Sequence, residues 1–111
     1  MNYPATSPDS MLLKFIQEKG RRVEDNRLPI QGLAAELITL QQQDPAFRLY
    51  EVGTDEAAML DLIKGDLLFL QDMGFVECDF SNPHVRLTEW GRFFANLLEL
   101  PPSVHEAMAR S

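Results

Sequence analysis

The chain has a single cysteine, Cys78, in 111 residues. An internal disulfide is thereby excluded, and so is a zinc site built from several thiolates. Such sparing use of cysteine fits a reducing cytoplasm. Histidine is almost as scarce, with only His84 and His105. No HExxH, GxSxG, P-loop or CxxC spacing occurs, so metal-assisted and nucleophilic catalysis have no basis in the sequence. A non-enzymatic protein without cofactor or metal is the expectation. No apolar run approaches the ~20 residues that a membrane-crossing helix requires. The opening residues, MNYPATSPDS, have no basic start and no apolar stretch, and do not read as a signal peptide. Positive charge is also in short supply: 10 Lys and Arg face 17 Asp and Glu, for a net charge of −7. Phosphate contacts dominate nucleic-acid affinity, so such binders usually carry a basic face. The acidic balance lowers the prior for DNA without forbidding it, because local distribution decides.

What is present describes one folded domain. Hydrophobic residues make up 45% of the chain and charged residues 24%, enough for a core with a soluble surface. Residues 1–7 read as an N-terminal extension and 101–111 as a tail. Ser7-Pro8-Asp9 opens a first helix with a cap, a proline suited to the first helical position and an acid at the positive end of the dipole. Met11, Leu12, Phe15 and Ile16 follow at helical spacing, and Gly20 stops it. Leu28-Pro29-Ile30 reads as a brief extended segment, since a residue before proline avoids the α region. QGLAAELITLQQQ forms a second helix ended by Asp44-Pro45. A short strand at Leu49–Val52 is one reading of the mixed stretch that follows. Thr54 or Asp55 caps a third helix that runs to about Met73.

Gly74 then marks a reversal, where a residue tolerating positive φ is favoured. Val76, Cys78 and Phe80 alternate with Glu77 and Asp79, the period of a half-buried strand. Ser81-Asn82-Pro83 supplies a turn, and Val85 and Leu87 alternate with Arg86 on the way back. The hairpin should therefore pair Val76–Phe80 with His84–Thr88, with Cys78 on its apolar face. Thr88 caps a last helix, in which Trp90, Phe93, Phe94, Leu97, Leu98 and Leu100 make a wide apolar face before Pro101-Pro102. The expected core is Phe15, Leu37, Ile63, Leu67, Leu70, Trp90, Phe93 and Leu97. With Trp90 fully buried, Trp90→Ala would cost about 3–5 kcal/mol.

The order helix, helix, helix, hairpin, helix carries a resemblance. LLFLQDMGFVEC followed by VRLTEWGRFF resembles the centre of bacterial winged-helix regulators of the MarR and PadR kind. In those, a leucine-bearing recognition helix ends in glycine, an apolar strand leads into the wing, and LTxxG starts the next helix. The matching residues are Leu67, Leu70, Gly74, Phe75, Val76, Leu87, Thr88 and Gly91, within about a quarter of the chain. LPIQGLAAEL is similar, more weakly, to the family's second helix. One departure is the segment DPAFRLYEVGT, which separates helices two and three where the family has a tight turn. The resemblance implies an α+β, mainly helical winged helix: a three-helix core, a β-hairpin wing and a C-terminal helix. It also implies transcription regulation by a DNA-associated homodimer joined through helices at the chain ends, here through Leu98 or Leu100.

The charge map qualifies that implication. The third helix would be the recognition helix, yet residues 55–74 set Asp55, Glu56, Asp61, Asp66 and Asp72 against Lys64, a net of −4. Base-reading residues usually sit near that helix's N-terminus, where this chain has Asp55 and Glu56. The hairpin, residues 75–87, is −1 with His84 neutral. At 100° per residue, Met59, Leu60, Ile63, Leu67 and Leu70 share the inner face. Ala57, Asp61, Gly65, Leu68 and Asp72 lie opposite, a stripe suited to a protein contact. Asp66 falls within the inner arc, where it either caps or pairs locally or marks a bend at Gly65. Any DNA contact must come from Arg21, Arg22, Arg27, His84 and Arg86; Lys19 adds to the basic cluster, and residues 9–27 sum to +1. Two functions follow. The first is a DNA-associated winged-helix regulator, which the fold's usual employment favours. The alternative is an acidic winged helix that binds protein through Asp61, Gly65, Leu68 and Asp72 without touching DNA, which the charges favour.

Overall fold

The computed structural model describes residues 3–4, 7–21, 23, 27–43, 50 and 55–99. Arg22, most of the segment 44–54, Leu100 and the tail 101–111 lie outside them, as does all but Tyr50 of the strand expected at Leu49–Val52. The described elements, in chain order, are β1 (Tyr3–Pro4), α1 (Pro8–Gly20), β2 (Leu28–Pro29), α2 (Ile30–Gln43), α3 (Glu56–Asp72), β3 (Val76–Asp79), β4 (His84–Leu87), α4 (Glu89–Leu97) and β5 (Leu98–Glu99). The architecture is α+β and mainly helical, with a small three-stranded antiparallel sheet ordered β2-β4-β3. No helix among the described residues is long and apolar enough to cross a membrane.

Local chemistry sets the helix ends. The Ser7 hydroxyl accepts from the Ser10 N–H, Pro8 occupies the first helical position, and Asp9 stands in the first turn of α1. Asp55 caps α3 by accepting from the Ala58 N–H at 2.8 Å, and Thr88 caps α4 by accepting from the Gly91 N–H at 2.9 Å. Each satisfies an N–H that helix geometry leaves without an intrahelical partner. Gly74 closes α3 with φ of 81°, a conformation in which a Cβ meets the neighbouring carbonyl. From there the Phe75 N–H donates back to the Leu70 carbonyl. The Thr88 hydroxyl donates to the Gly74 carbonyl at 2.6 Å, tying the start of α4 to the end of α3.

The hairpin pairs Val76 with Leu87, Glu77 with Arg86, Cys78 with Val85 and Asp79 with His84. The hairpin is where it was expected, but its ladder is shifted by one residue. Paired end to end, the expected segments would set Val76 opposite Thr88 and Phe80 opposite His84, and each strand is one residue shorter than expected. Phe80 lies beyond the paired residues and is exposed, so the apolar face stops at Cys78. At the turn, the Asp79 carboxylate accepts from the Ser81 N–H, the Ser81 hydroxyl and the Asn82 N–H. The extended segment Leu28–Pro29 adds β2 to the other side of β4. Pro29 is tolerated because β2 is an edge strand and its missing N–H faces away from the ladder.

Most of the core comes from α1, α2 and α3. Five of the six residues Met11–Ile16 are buried, all but Lys14. Ile30, Leu33, Leu37, Met59, Ile63, Leu67 and Leu70 close around them. The expected places of Phe15, Leu37, Ile63, Leu67 and Leu70 are borne out. Those of Trp90 and Phe93 are not, since their side chains are 53% and 56% exposed, and Leu97 is only partly buried. The reason is Gly91. A Cβ built there would lie 1.9 Å from the Phe75 carbonyl oxygen, so α4 rests backbone to backbone on the β3 entrance. Only a glycine permits that approach. Gly91 and Ala95 are its buried residues, Phe94 packs partly buried against the core, and Trp90 and Phe93 are turned outward.

The end of α4 is a second correction. The helix stops at Leu97 rather than Leu100; Leu98 is extended and pairs in parallel with Tyr3 through β5 and β1. Leu98 is 5% exposed. It belongs to the core and does not offer the exposed contact expected for a homodimer, while Leu100 lies outside the described residues.

Candidate interaction surfaces

The residues expected to touch DNA are held in three different ways. Arg21 follows α1 and pairs with Glu18 at 3.3 Å. Arg86 on β4 meets its cross-strand partner Glu77, with Nη2 at 2.7 Å and Nε at 2.9 Å from one carboxylate oxygen. Exposed pairs of this kind contribute little to stability, yet they cancel the positive charge that a phosphate would seek. Lys19 is likewise paired, with Glu36 at 3.3 Å. His84 is half-buried beside the turn, its Nδ1 3.1 Å from the Asn82 carbonyl. Arg27 is exposed and makes no ion pair among the described residues, although its charge acts on the Asp79 carboxylate. That carboxyl is held below its usual range, chiefly by the Ser81 hydroxyl and then by the turn N–H groups. Arg27, His84 and Arg86 do line one open hollow beside the hairpin. Glu77 and Asp79 line the same hollow.

On α3 the expected protein-contact residues Asp61, Gly65, Leu68 and Asp72 are all exposed, as is Ala57. They follow from the helical wheel: with Met59, Ile63, Leu67 and Leu70 inward, the opposite arc faces solvent. Leu62, Phe69 and Met73 widen the exposed apolar area at about half exposure each. The N-terminus of α3 is occupied by its own acids, because Asp55 already accepts from the Ala58 N–H and Glu56 follows it. An incoming phosphate would meet two carboxylates where helix N–H groups usually welcome an anion. The C-terminal turn contains no basic residue, so the negative end of its dipole also stands uncompensated.

Asp66 has a partner that neither local pairing nor a bend supplies. The Tyr50 hydroxyl donates to its carboxylate, and the Tyr50 N–H donates to the Gln41 side chain at 3.0 Å. Tyr50 thus joins α2 and α3 just before the third helix. Burial, then the hydrogen bond and negative charge of Asp66, push its phenol well above the ordinary value, keeping it a donor. A second polar strap ties α1 to α4. The Lys14 ammonium donates to the Gln17 amide oxygen and the Ala95 carbonyl, both at 3.0 Å, and the Gln17 amide donates to Asn96. Partial burial lowers the Lys14 pKa. Cys78 is half-buried, and burial pushes its thiol up to about 11. At neutral pH it is a thiol, a poor nucleophile.

The feature that sequence reasoning missed is the aromatic series on α4. Phe94 stacks on Phe75 at 4.6 Å, Phe75 on Trp90 at 6.1 Å, and Trp90 on Phe93 at 5.5 Å between ring centroids. It passes from a buried ring to two exposed ones. The available signal was the Gly91/Ala95 pair, four residues apart, which marks the side of closest helix approach. Compared with known proteins, the chain matches no family model, no curated protein and no solved structure.

Proposed function

We propose that the chain is a regulatory module of the winged-helix kind that works by binding another protein through the outward face of α3. The observation that carries this reading is the contrast between free acids and occupied cations. Asp61 and Asp72 stand exposed with Leu62, Leu68 and Phe69 on α3, whereas Arg21 and Arg86 are tied to Glu18 and Glu77. An exposed stripe of acidic and apolar side chains suits a protein surface with complementary charge. The same stripe repels a phosphate backbone. Support for the winged-helix kind comes from the element order, the hairpin after α3 and the strand β2 beside it.

The second reading is a DNA-associated regulator. It is favoured by one observation, the convergence of Arg27, His84 and Arg86 on a single hollow at the hairpin. Contact there would require Arg86 to leave Glu77 or to bring that carboxylate towards a phosphate. A titration of mixed-sequence duplex at low salt separates the two readings. We expect no binding by the native chain, and weak, salt-sensitive binding once Asp61 and Asp72 are changed to lysine. Tight, sequence-specific binding that persists in an Arg27→Ala/Arg86→Ala variant would overturn both the charge argument and the protein-contact reading.

A further inference from the structure

The exposed pair Trp90 and Phe93 lies on α4, away from the outward stripe of α3. The two rings stack on each other at 5.5 Å with planes 15° apart, so they form one contiguous apolar shelf. The buried Phe75 backs Trp90, and Gly91 fixes α4 against the Phe75 backbone. The shelf is therefore rigid, and its apolar area is already ordered before anything binds. Rigid, half-exposed aromatics on a fixed support are the usual anchors of protein interfaces.

Three observations restrict what can cover it. Area comes first. A fully buried aromatic ring removes ~150–250 Å² from water, so two half-exposed rings offer on the order of 200 Å². A standard interface takes roughly 800 Å² from each partner. The shelf is too small to hold two copies of this chain together, and it suits the apolar side of one short segment. Charge comes second. Glu89 directly precedes Trp90, is exposed, and makes no ion pair among the described residues. Trp90 also lies against the end of α3: its Cδ1 is 3.9 Å from the Cβ position of Gly74. That helix end has no basic residue in its last turn, so its carbonyls add negative potential beside the ring. The third observation is the direction of the cation nearest in sequence. Arg92 lines the hollow formed with Gln17, Gly20, Arg21, Leu87 and Asn96, on the α1 side of the helix. A second copy, itself −7, would bring the same acids, and an anionic membrane would repel them.

From this geometry we propose that the Trp90–Phe93 shelf docks a basic, amphipathic helical segment of a partner protein. Its apolar residues cover the two rings. Its lysines or arginines face Glu89 and the α3 C-terminus. The proposal rests on the chain being a protein-contact module but not on the outward face of α3.

Trp90 is the only tryptophan, so its emission reports the shelf directly. The probe is a helical peptide of about 14 residues with leucines at i, i+3, i+4 and i+7 and lysines elsewhere. Controls are the same pattern with glutamate in place of lysine, a scrambled leucine–lysine peptide, and zwitterionic phosphatidylcholine vesicles. The expected result is a saturable blue shift with the patterned lysine peptide alone, weaker at high salt. Phe93→Ser, at an exposed position, should weaken it by about tenfold or more, while Leu68→Glu leaves it unchanged. An equal response to the glutamate or scrambled peptide overturns the proposal, as does one to the vesicles. A blue shift that grows with protein concentration alone also overturns it and assigns the shelf to a second copy. Loss with Leu68→Glu but not with Phe93→Ser overturns it too, while leaving the α3 contact standing.

Discussion

The helices α1 and α4 both carry a face of large apolar side chains, and they pack in opposite ways. Helix α1 buries its largest residues, Leu12, Leu13, Phe15 and Ile16, almost completely. Helix α4 buries its smallest, Gly91 and Ala95, and leaves Trp90 and Phe93 half exposed. Apolar content alone does not say which residues make the core. What decides is how close the backbone must come to its neighbour. Helix α1 stands off from its surroundings by a layer of side chains, whereas α4 is seated directly on the Phe75 carbonyl. The first arrangement completes a core. The second leaves an apolar face exposed.

The most severe way to break this comparison is to push α4 off its seat. Gly91→Ala places a methyl where 1.9 Å separates it from the Phe75 oxygen. Overpacking usually costs about 1–3 kcal/mol because side chains can yield. Here the obstacle is backbone, and Thr88 N–H donates to that same carbonyl at 3.1 Å. We therefore expect loss of the cooperative unfolding transition in urea. A native-like midpoint would show that α4 does not rest on β3 so closely.

Next in size is a direct contrast between the two helices. Phe15→Ala removes a fully buried ring and should cost about 3–5 kcal/mol. Trp90→Ala removes a half-exposed one, and burial of that kind supports only about 1–2 kcal/mol. Equal shifts in the denaturation midpoint would mean that Trp90 is buried after all, as its place in the apolar periodicity suggested.

That mistaken expectation defines how much of the molecule was legible in its sequence. Caps at Ser7, Asp55 and Thr88, the glycine at the end of α3, the strand at Leu28 and the presence of the hairpin with its turn all depend on short-range chemistry. Each was readable from a few adjacent residues. The inward face of α3 was readable too, because its inner and outer arcs are distinct. In α4 the apolar arc is wider than any one packing surface, so periodicity could not select among its members. Leu98 was misread because its burial depends on pairing with Tyr3, near the opposite end of the chain. The Tyr50 partner of Asp66 lies across a segment with no periodic pattern. Of the candidate DNA contacts, Arg21, Arg27 and Arg86 are exposed and His84 is half-buried, but the Arg86–Glu77 pairing is the consequence of a register that charge counting ignores.

A smaller effect comes from pH. The Cys78 thiol is raised to about 11 in the folded chain, above the roughly 8.5 of an exposed cysteine. Between those values the unfolded chain has released the proton and the folded chain has kept it. The folded state then binds more protons, so its stability falls as pH rises through that window. Below it the contribution is fully present. Cys78→Ala should flatten part of the decline between about pH 8.5 and 11, with Tyr50 contributing to what remains. Thiol-reactive dye should label native Cys78 slowly at pH 7 and rapidly in denaturant. Fast labelling of the native chain at pH 7 would contradict a half-buried, protonated thiol.

The mildest substitution sharpens the comparison from the other side. Gly65 lies in the middle of α3, exposed, with nothing within 4 Å of a Cβ built there. Unlike Gly91 it meets no backbone, and unlike Gly74 its conformation is helical, so the folded chain draws no benefit from lacking a side chain. Alanine is favoured over glycine in an exposed helix by about 1 kcal/mol. Gly65→Ala should therefore raise the melting temperature by about 4 °C or slightly more for a domain of this size. A fall instead would mean that the outward face of α3 is already covered within the fold. With the expected rise in hand, partner binding decides what the glycine is for. If a second protein approaches α3 closely at this position, the more stable variant binds that protein more weakly. If the variant binds equally well, the contact lies along Leu68 and Asp72 and leaves Gly65 clear.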